Sequence, residues 1–165
     1  MTETTETRPP PRAQDFPPSG PNSLASLLQR LAGWLLDVLV TIVPATAVLV
    51  PFIDLQEVVD TGELPTYATA IPLLVWLVYE VVLLTWLGRT LGCWVLGIRV
   101  ARYADGQKPT FEQASLRSLL PASIAAIPIP IINAGWIVVY MGALYNPLRR
   151  GFHDFAGGTV VIRTR

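Results

Sequence analysis

Two long apolar segments constrain this chain more than any other feature of its sequence. Residues 31–52 and 67–87 each reach the length of about 20 residues that an α-helix needs to cross a lipid bilayer. Across the 165 residues, 52% are hydrophobic and only 15% are charged, which is too apolar for a soluble globule of this size. The sequence therefore predicts an integral membrane protein whose first partner is the lipid bilayer.

The charges that flank these spans predict the orientation of the chain. The connection at 53–66 carries four acidic residues and no Lys or Arg, whereas the segment after the second span is basic. Cytoplasmic connections of membrane proteins are enriched in Lys and Arg, so we expect the acidic connection outside and the N-terminus in the cytoplasm. The basic residues are Arg8, Arg12 and Arg30 before the first span, and Arg89, Arg99, Arg102 and Lys108 after the second.

A third apolar stretch, 116–145, is predicted to double back. A single crossing would leave the arginine-rich C-terminus outside, against the same charge rule. Pro128, Pro130 and the turn signal at 133–135 break the stretch, which favours two short helices at 111–127 and 132–144. The sequence is compatible both with a hairpin that spans the bilayer fully and with one that re-enters. The β-rich segments 97–102 and 158–163 have turn-type flanks and would pair beside the basic loop, which also favours a cytoplasmic C-terminus.

These patterns predict an all-α membrane protein with about four membrane-embedded helices and a small cytoplasmic two-stranded β element. Residues 1–24 are rich in proline, so we expect a disordered cytoplasmic arm, followed by one transmembrane domain at 25–165.

Two carboxylates lie inside the apolar spans, where an acid costs at least ~2.5 kcal/mol on insertion scales and needs partners. Asp37 follows Arg30 by seven residues and shares its helix face, about 10 Å deeper. Glu80 lies about 12 Å from the cytoplasmic end of the second span, so the two acids have matching depth. They could bind a proton or a cation, or they could be structural, with Asp37 bonded to small residues or helix termini and Glu80 protonated.

Three segments resemble the signature blocks of the RDD family: QRLAGWLLD at 29–37, GRTLGCWVLGIRV at 88–100 and GFHDFAGGTVV at 151–161. The resemblance covers about 28–162 and places the arginine and two aspartates of the family name at Arg30, Asp37 and Asp154. It departs from the family at Cys93, where lysine is more usual, and we expect an inert thiol there. The resemblance implies a bacterial, multi-pass plasma-membrane protein of a family suggested to take part in transport.

The pair His153 and Asp154 has two interpretations. The imidazole and acid could exchange protons at the cytoplasmic mouth, or Asp154 could anchor the terminal strand against Arg30 or a neighbouring arginine. An Arg30 between Asp37 and Asp154 would form a charge-balanced chain across the headgroup boundary. The candidate ion, ligand or structural charge site therefore consists of Arg30, Asp37, Glu80, His153 and Asp154.

Two functions remain open from the sequence: a transporter of a small ion or solute, working as a homo-oligomer, or a non-catalytic membrane scaffold or accessory subunit that binds a protein partner. We expect no enzyme, since the hydrolase, metalloprotease and phosphate-binding motifs are missing and His153 is the only histidine. The lone histidine and lone cysteine also predict no metal site and no disulfide. No cofactor or nucleic-acid motif is present.

Overall fold

The computed structural model of the chain describes residues 11–127 and 135–165. It is mostly helical, with one small antiparallel sheet of two strands. The elements are α1 (Leu27–Leu49), α2 (Leu55–Thr61), α3 (Thr66–Leu87), α4 (Leu91–Val95), β1 (Ile98–Arg102), α5 (Phe111–Ala125), α6 (Trp136–Tyr145), α7 (Phe152–Ala156) and β2 (Thr159–Arg163).

Two helices in the described part of the chain are long and apolar enough to cross a membrane. They are Leu27–Phe52, in which α1 continues into a 3-10 turn, and Thr66–Leu87, and they agree closely with the predicted spans. Only 11% and 22% of their most apolar windows are buried inside the protein. A core helix of a soluble protein would be mostly buried, so these exposed apolar faces are those expected of membrane-spanning helices.

The ends of these helices follow from local sequence. The Ser26 hydroxyl accepts a hydrogen bond from the Gln29 amide at 3.1 Å, and Gln29 Oε1 accepts one from the Ser26 amide at 3.1 Å. This reciprocal cap satisfies two backbone donors at the start of α1. The C-terminus of α3 is capped by Gly88, whose φ of +69° is a left-handed conformation that glycine adopts without strain.

The predicted strand pairing is confirmed. Strands β1 and β2 are antiparallel, with Val100 opposite Val161 in the centre of the register. One sheet face packs against α3 and α5 through a buried cluster that contains Leu84, Ile98 and Ala114. The sheet therefore closes one end of the helical bundle.

Part of the N-terminal arm differs from the disordered segment that its proline content predicts. Leu24 forms a β-bridge with Ile162, and Phe16 packs on the second face of the sheet. Proline restricts the unfolded chain, so ordering this segment costs less conformational entropy. Burial of the two apolar side chains offsets the cost that remains. Residues 1–10 of the arm lie outside the described residues.

The late apolar stretch forms two helices close to the predicted positions. Helix α5 has 15 residues and α6 has 10, each shorter than the ~20 residues of a full span. The predicted break at Pro128, Pro130 and 133–134 lies outside the described residues. The membrane-embedded position of α5 and α6 stays a prediction.

Candidate functional site

A cavity of about 390 Å³ lies between α1, α3, α5 and α6, above the sheet. Four of the five predicted site residues line it, and the fifth, Asp154, is fully buried directly behind its wall. The ionisable and polar residues of the lining are Arg30, Asp37, Glu80, Thr90, Cys93, Arg117, Tyr140 and His153. Residues far apart in the sequence thus converge on one partly open cavity.

Asp154 is the centre of the charge network behind the cavity. Its Oδ2 accepts from the Arg30 guanidinium and its Oδ1 from that of Arg117. The Gly151 amide donates to Oδ2 at 2.9 Å and the Thr159 hydroxyl to Oδ1 at 3.3 Å. Because a buried carboxylate is stable only when its oxygens have donors, this set of four accounts for the charge of Asp154.

Arg30 joins the start of α1 to the segment before α7. Besides the ion pair with Asp154, it donates to the Arg149 carbonyl oxygen. The structure therefore adopts the geometry of the anchoring interpretation, with Asp154 held against Arg30. Asp37, in contrast, makes no ion pair among the described residues, so the expected chain from Asp37 through Arg30 to Asp154 does not form.

Arg117 takes the place that the sequence interpretation gave to Asp37 in the charge chain. Its Nε lies 3.9 Å from Glu80 Oε1, and its Nη1 contacts Asp154 and lies 3.0 Å from the Thr159 hydroxyl oxygen. The chain of charges thus runs from Glu80 through Arg117 and Asp154 to Arg30. Arg117 is a charged residue inside the apolar part of a predicted helix, which is a signal for a functional residue, but it was not among the five predicted site residues.

Asp37 is held by neutral donors. The Tyr79 hydroxyl donates to its Oδ1 at 2.6 Å, the Thr90 hydroxyl to Oδ2 at 2.6 Å and the Gly92 amide to Oδ1 at 2.8 Å. Thr90 also accepts from the Cys93 amide and so caps α4. Asp37 therefore ties α1 and α3 to the start of α4. This contact resembles the structural interpretation, in which Asp37 bonds to a helix terminus.

This tie requires a glycine on α4. A Cβ on Gly92 would lie 2.0 Å from the Gly33 carbonyl oxygen and 3.1 Å from Asp37 Cγ, far inside van der Waals contact. A Cβ on Gly33 would meet nothing closer than 3.5 Å. The close approach of α1 and α4 thus requires glycine at position 92 but not at position 33.

Glu80 is the least compensated carboxylate of the cavity. Arg117 Nε is 3.9 Å from Oε1, too far for a hydrogen bond, and Oε2 has no hydrogen-bond partner among the described residues. The Ser118 hydroxyl adjoins this carboxylate without ordinary hydrogen-bond geometry. A buried carboxylate with an unused oxygen is suited to accept a proton or a cation.

His153 is enclosed rather than placed at an open mouth. It is 1% exposed, its Nδ1 lies 3.4 Å from the Val139 carbonyl oxygen and its ring packs 4.3 Å from the Tyr140 ring. Burial, with the guanidinium groups of Arg117 and Arg30, lowers the pKa of His153 well below its usual range. A neutral imidazole is therefore expected at neutral pH.

The remaining chemistry of the lining is limited. Burial raises the pKa of the Cys93 thiol, which favours the unreactive protonated form. Within residues 11–127 and 135–165, no three His, Cys, Asp or Glu side chains converge as metal ligands do. These residues can bind and orient a charged ligand, and they can exchange a proton or an ion with it.

The sequence matches one known family over most of its length. No curated protein sequence and no solved structure matches the chain. The model of the RDD family matches residues 24–158, which include Arg30, Asp37 and Asp154. With the two outward-facing apolar helices, this match indicates a membrane protein. The chain belongs to the RDD family.

Proposed function

We propose that this membrane protein carries a small ion or solute across the bilayer and that Glu80 is the carboxylate at which a cation or a proton binds. One observation carries the proposal: Glu80 faces the cavity with an oxygen that no described residue satisfies. Intramembrane acids of this kind commonly mark ion and proton pathways. The proposal assigns Glu80 the exchange step and gives Asp37 and Asp154 structural roles.

The charges of the site support a cation rather than an anion. The site contains three carboxyl groups, those of Asp37, Glu80 and Asp154, and two guanidinium groups, those of Arg30 and Arg117, so its acids outnumber its cations by one when His153 is neutral. A single positive charge beside Glu80 would make the buried site electrically neutral.

The proposal places the protein in a bacterial plasma membrane with both termini in the cytoplasm. The acid-only connection that contains α2 and the basic segment around β1 support that orientation through the positive-inside rule. We propose binding and transport rather than catalysis, because the histidine is enclosed and the thiol is held protonated. A homo-oligomer would add enclosed volume to the short path within one chain.

Reconstitution tests this function. Purified protein in liposomes is expected to move protons or Na⁺ down an imposed gradient, and Glu80→Gln is expected to reduce the rate to that of empty liposomes. Glu112→Gln is the matched control, because it makes the same chemical change at an exposed position of α5. Unaltered flux in a folded Glu80→Gln protein would rule out this carboxylate as the exchange group.

A non-catalytic scaffold or accessory subunit is the second candidate. The complete internal pairing of Asp37 and Asp154 favours it, because these signature residues then serve to hold the fold. Crosslinking at native expression should recover a stoichiometric membrane partner if this function is correct. The absence of flux from every tested gradient would support the scaffold over the transporter.

A further inference from the structure

A second hollow of about 220 Å³ adjoins the charged cavity. Its own lining is apolar and comes from α1, α3 and α5: Val38, Ile42, Leu73, Pro121, Ala122 and Ala125. Trp34, Trp76 and Tyr140 line both spaces. The protein thus has a charged chamber and an apolar chamber, both partly open to the surroundings, that meet at three aromatic side chains.

The charged chamber favours a positive headgroup. The Glu80 Oε2 atom has no partner among the described residues, whereas the Arg30 and Arg117 guanidinium groups are bound to Asp154. An anion could reach the Arg117 Nε–H, which has no partner among the described residues, but it would then lie beside the Glu80 carboxylate, 3.9 Å from that nitrogen, whereas a cation is attracted by the same carboxylate. Tryptophan and tyrosine rings attract organic cations through their electron-rich faces, most strongly where water is excluded.

The volumes favour an organic ligand over a bare ion. A cavity of about 390 Å³ lies within the usual range of small-molecule pockets, about 300–1,000 Å³. A dehydrated metal ion would need several oxygen ligands, and Glu80 is the one carboxylate of the described lining with an oxygen free to supply. The adjacent apolar chamber gives an organic cation further surface to bury.

We propose that the cargo is an amphiphilic organic cation. Its ammonium headgroup lies beside Glu80 and the aromatic trio of Trp34, Trp76 and Tyr140, and its short apolar tail occupies the second hollow. The proposal rests on the transport function proposed above, for which it names the substrate class.

Calorimetric titration of the purified protein with three probes tests the two chambers separately. Hexyltrimethylammonium has headgroup and tail, tetramethylammonium has the headgroup alone and hexanol has the tail alone. Each buried methylene strengthens binding roughly fourfold, so burial of two or more gives hexyltrimethylammonium an advantage of at least about tenfold over tetramethylammonium. Hexanol is expected to bind at least about tenfold more weakly as well, because it lacks the charge that Glu80 attracts.

Two variants assign the chambers. Glu80→Gln is expected to weaken hexyltrimethylammonium by about tenfold or more, since it removes the compensating charge, whereas Glu112→Gln leaves the affinity unchanged. Leu73→Trp fills the apolar hollow, so it should remove the advantage of hexyltrimethylammonium over tetramethylammonium while the affinity for tetramethylammonium persists. The three-probe comparison on the unaltered protein decides the proposal even where a variant fails to fold.

Equal binding of hexanol and hexyltrimethylammonium, or of hexyltrimethylammonium and tetramethylammonium, overturns this inference. Glu80-dependent flux of Na⁺ or protons without hexyltrimethylammonium binding overturns it and leaves the transport function intact. Hexyltrimethylammonium binding that depends on Glu80 but is accompanied by no flux of that probe into liposomes supports the site and refutes transport.

Discussion

Replacing Asp154 by asparagine keeps the shape of a fully buried side chain and removes its charge. In the native protein the carboxylate accepts from the guanidinium groups of Arg30 and Arg117. The amide of asparagine has one acceptor oxygen and one donor NH₂ group, so one guanidinium would face a donor. The change therefore leaves a buried positive charge without its partner.

The expected loss of stability is large. Removing one partner of a buried ion pair costs about 3–5 kcal/mol, because the remaining charge stays desolvated. Asp105 offers a matched comparison: it pairs with Arg102 at 2.8 Å, but its side chain is 40% exposed. An exposed pair contributes about 0–1 kcal/mol, so Asp105→Asn should have little effect. We expect the two identical chemical changes to differ by at least about 2 kcal/mol.

Reversible unfolding by SDS in mixed micelles would measure both free energies of unfolding. A second substitution, Arg30→Gln, in the Asp154→Asn background should recover part of the loss, since it removes the uncompensated charge. If Asp154→Asn is no more destabilising than Asp105→Asn, or if the double variant is additively worse, the buried ion pairs of Asp154 do not hold the fold together.

Three further predictions follow from the same structure. Gly92→Ala should destabilise the protein by about 1–3 kcal/mol or more, because its Cβ would meet the Gly33 carbonyl at 2.0 Å, whereas Gly33→Ala should be tolerated in the same unfolding assay. Stability should fall as the pH drops below about 6.5, because the lowered pKa of His153 means that the unfolded chain binds more protons, and His153→Gln should flatten that slope in thermal unfolding from pH 4 to 8. Single cysteines at Asp105 and Thr164 in a cysteine-free background should react with an impermeant reagent from the same side of the membrane; reaction from opposite sides would contradict the pairing of β1 with β2.

Local patterns were sufficient to predict the framework of the fold. Hydrophobic length predicted both long helices, and β-branched residues with turn-type flanks predicted the strand pair, because each signal resides in a continuous segment. Helical rise alone put Asp37 and Glu80 at the same depth, and both line one cavity.

The sequence patterns could not predict which residues contact the buried ionisable side chains. Tyr79, Thr90 and Gly92 are 42 to 55 residues from Asp37 in sequence, and only the packing of α1, α3 and α4 brings them to it. Arg117 was overlooked because an apolar average hides a single charge inside a predicted helix. The enclosure of His153 likewise depends on tertiary packing, and it changes a residue expected to titrate near neutral pH into a neutral one.

The buried carboxylates of this bundle therefore differ in what their surroundings allow. Asp37 and Asp154 each have three or more donors, and loss of a donor would leave a buried oxygen unsatisfied, so both side chains are fixed by the elements they join. Glu80 has one distant cation and an unused oxygen, and a proton or cation can bind it without breaking a contact. The proposed exchange of a proton or cation at Glu80 needs a framework that does not relax when the bound species leaves. The two signature aspartates supply that rigidity, which is why substitutions at Asp37 and Asp154 should be seen first in stability and those at Glu80 in binding.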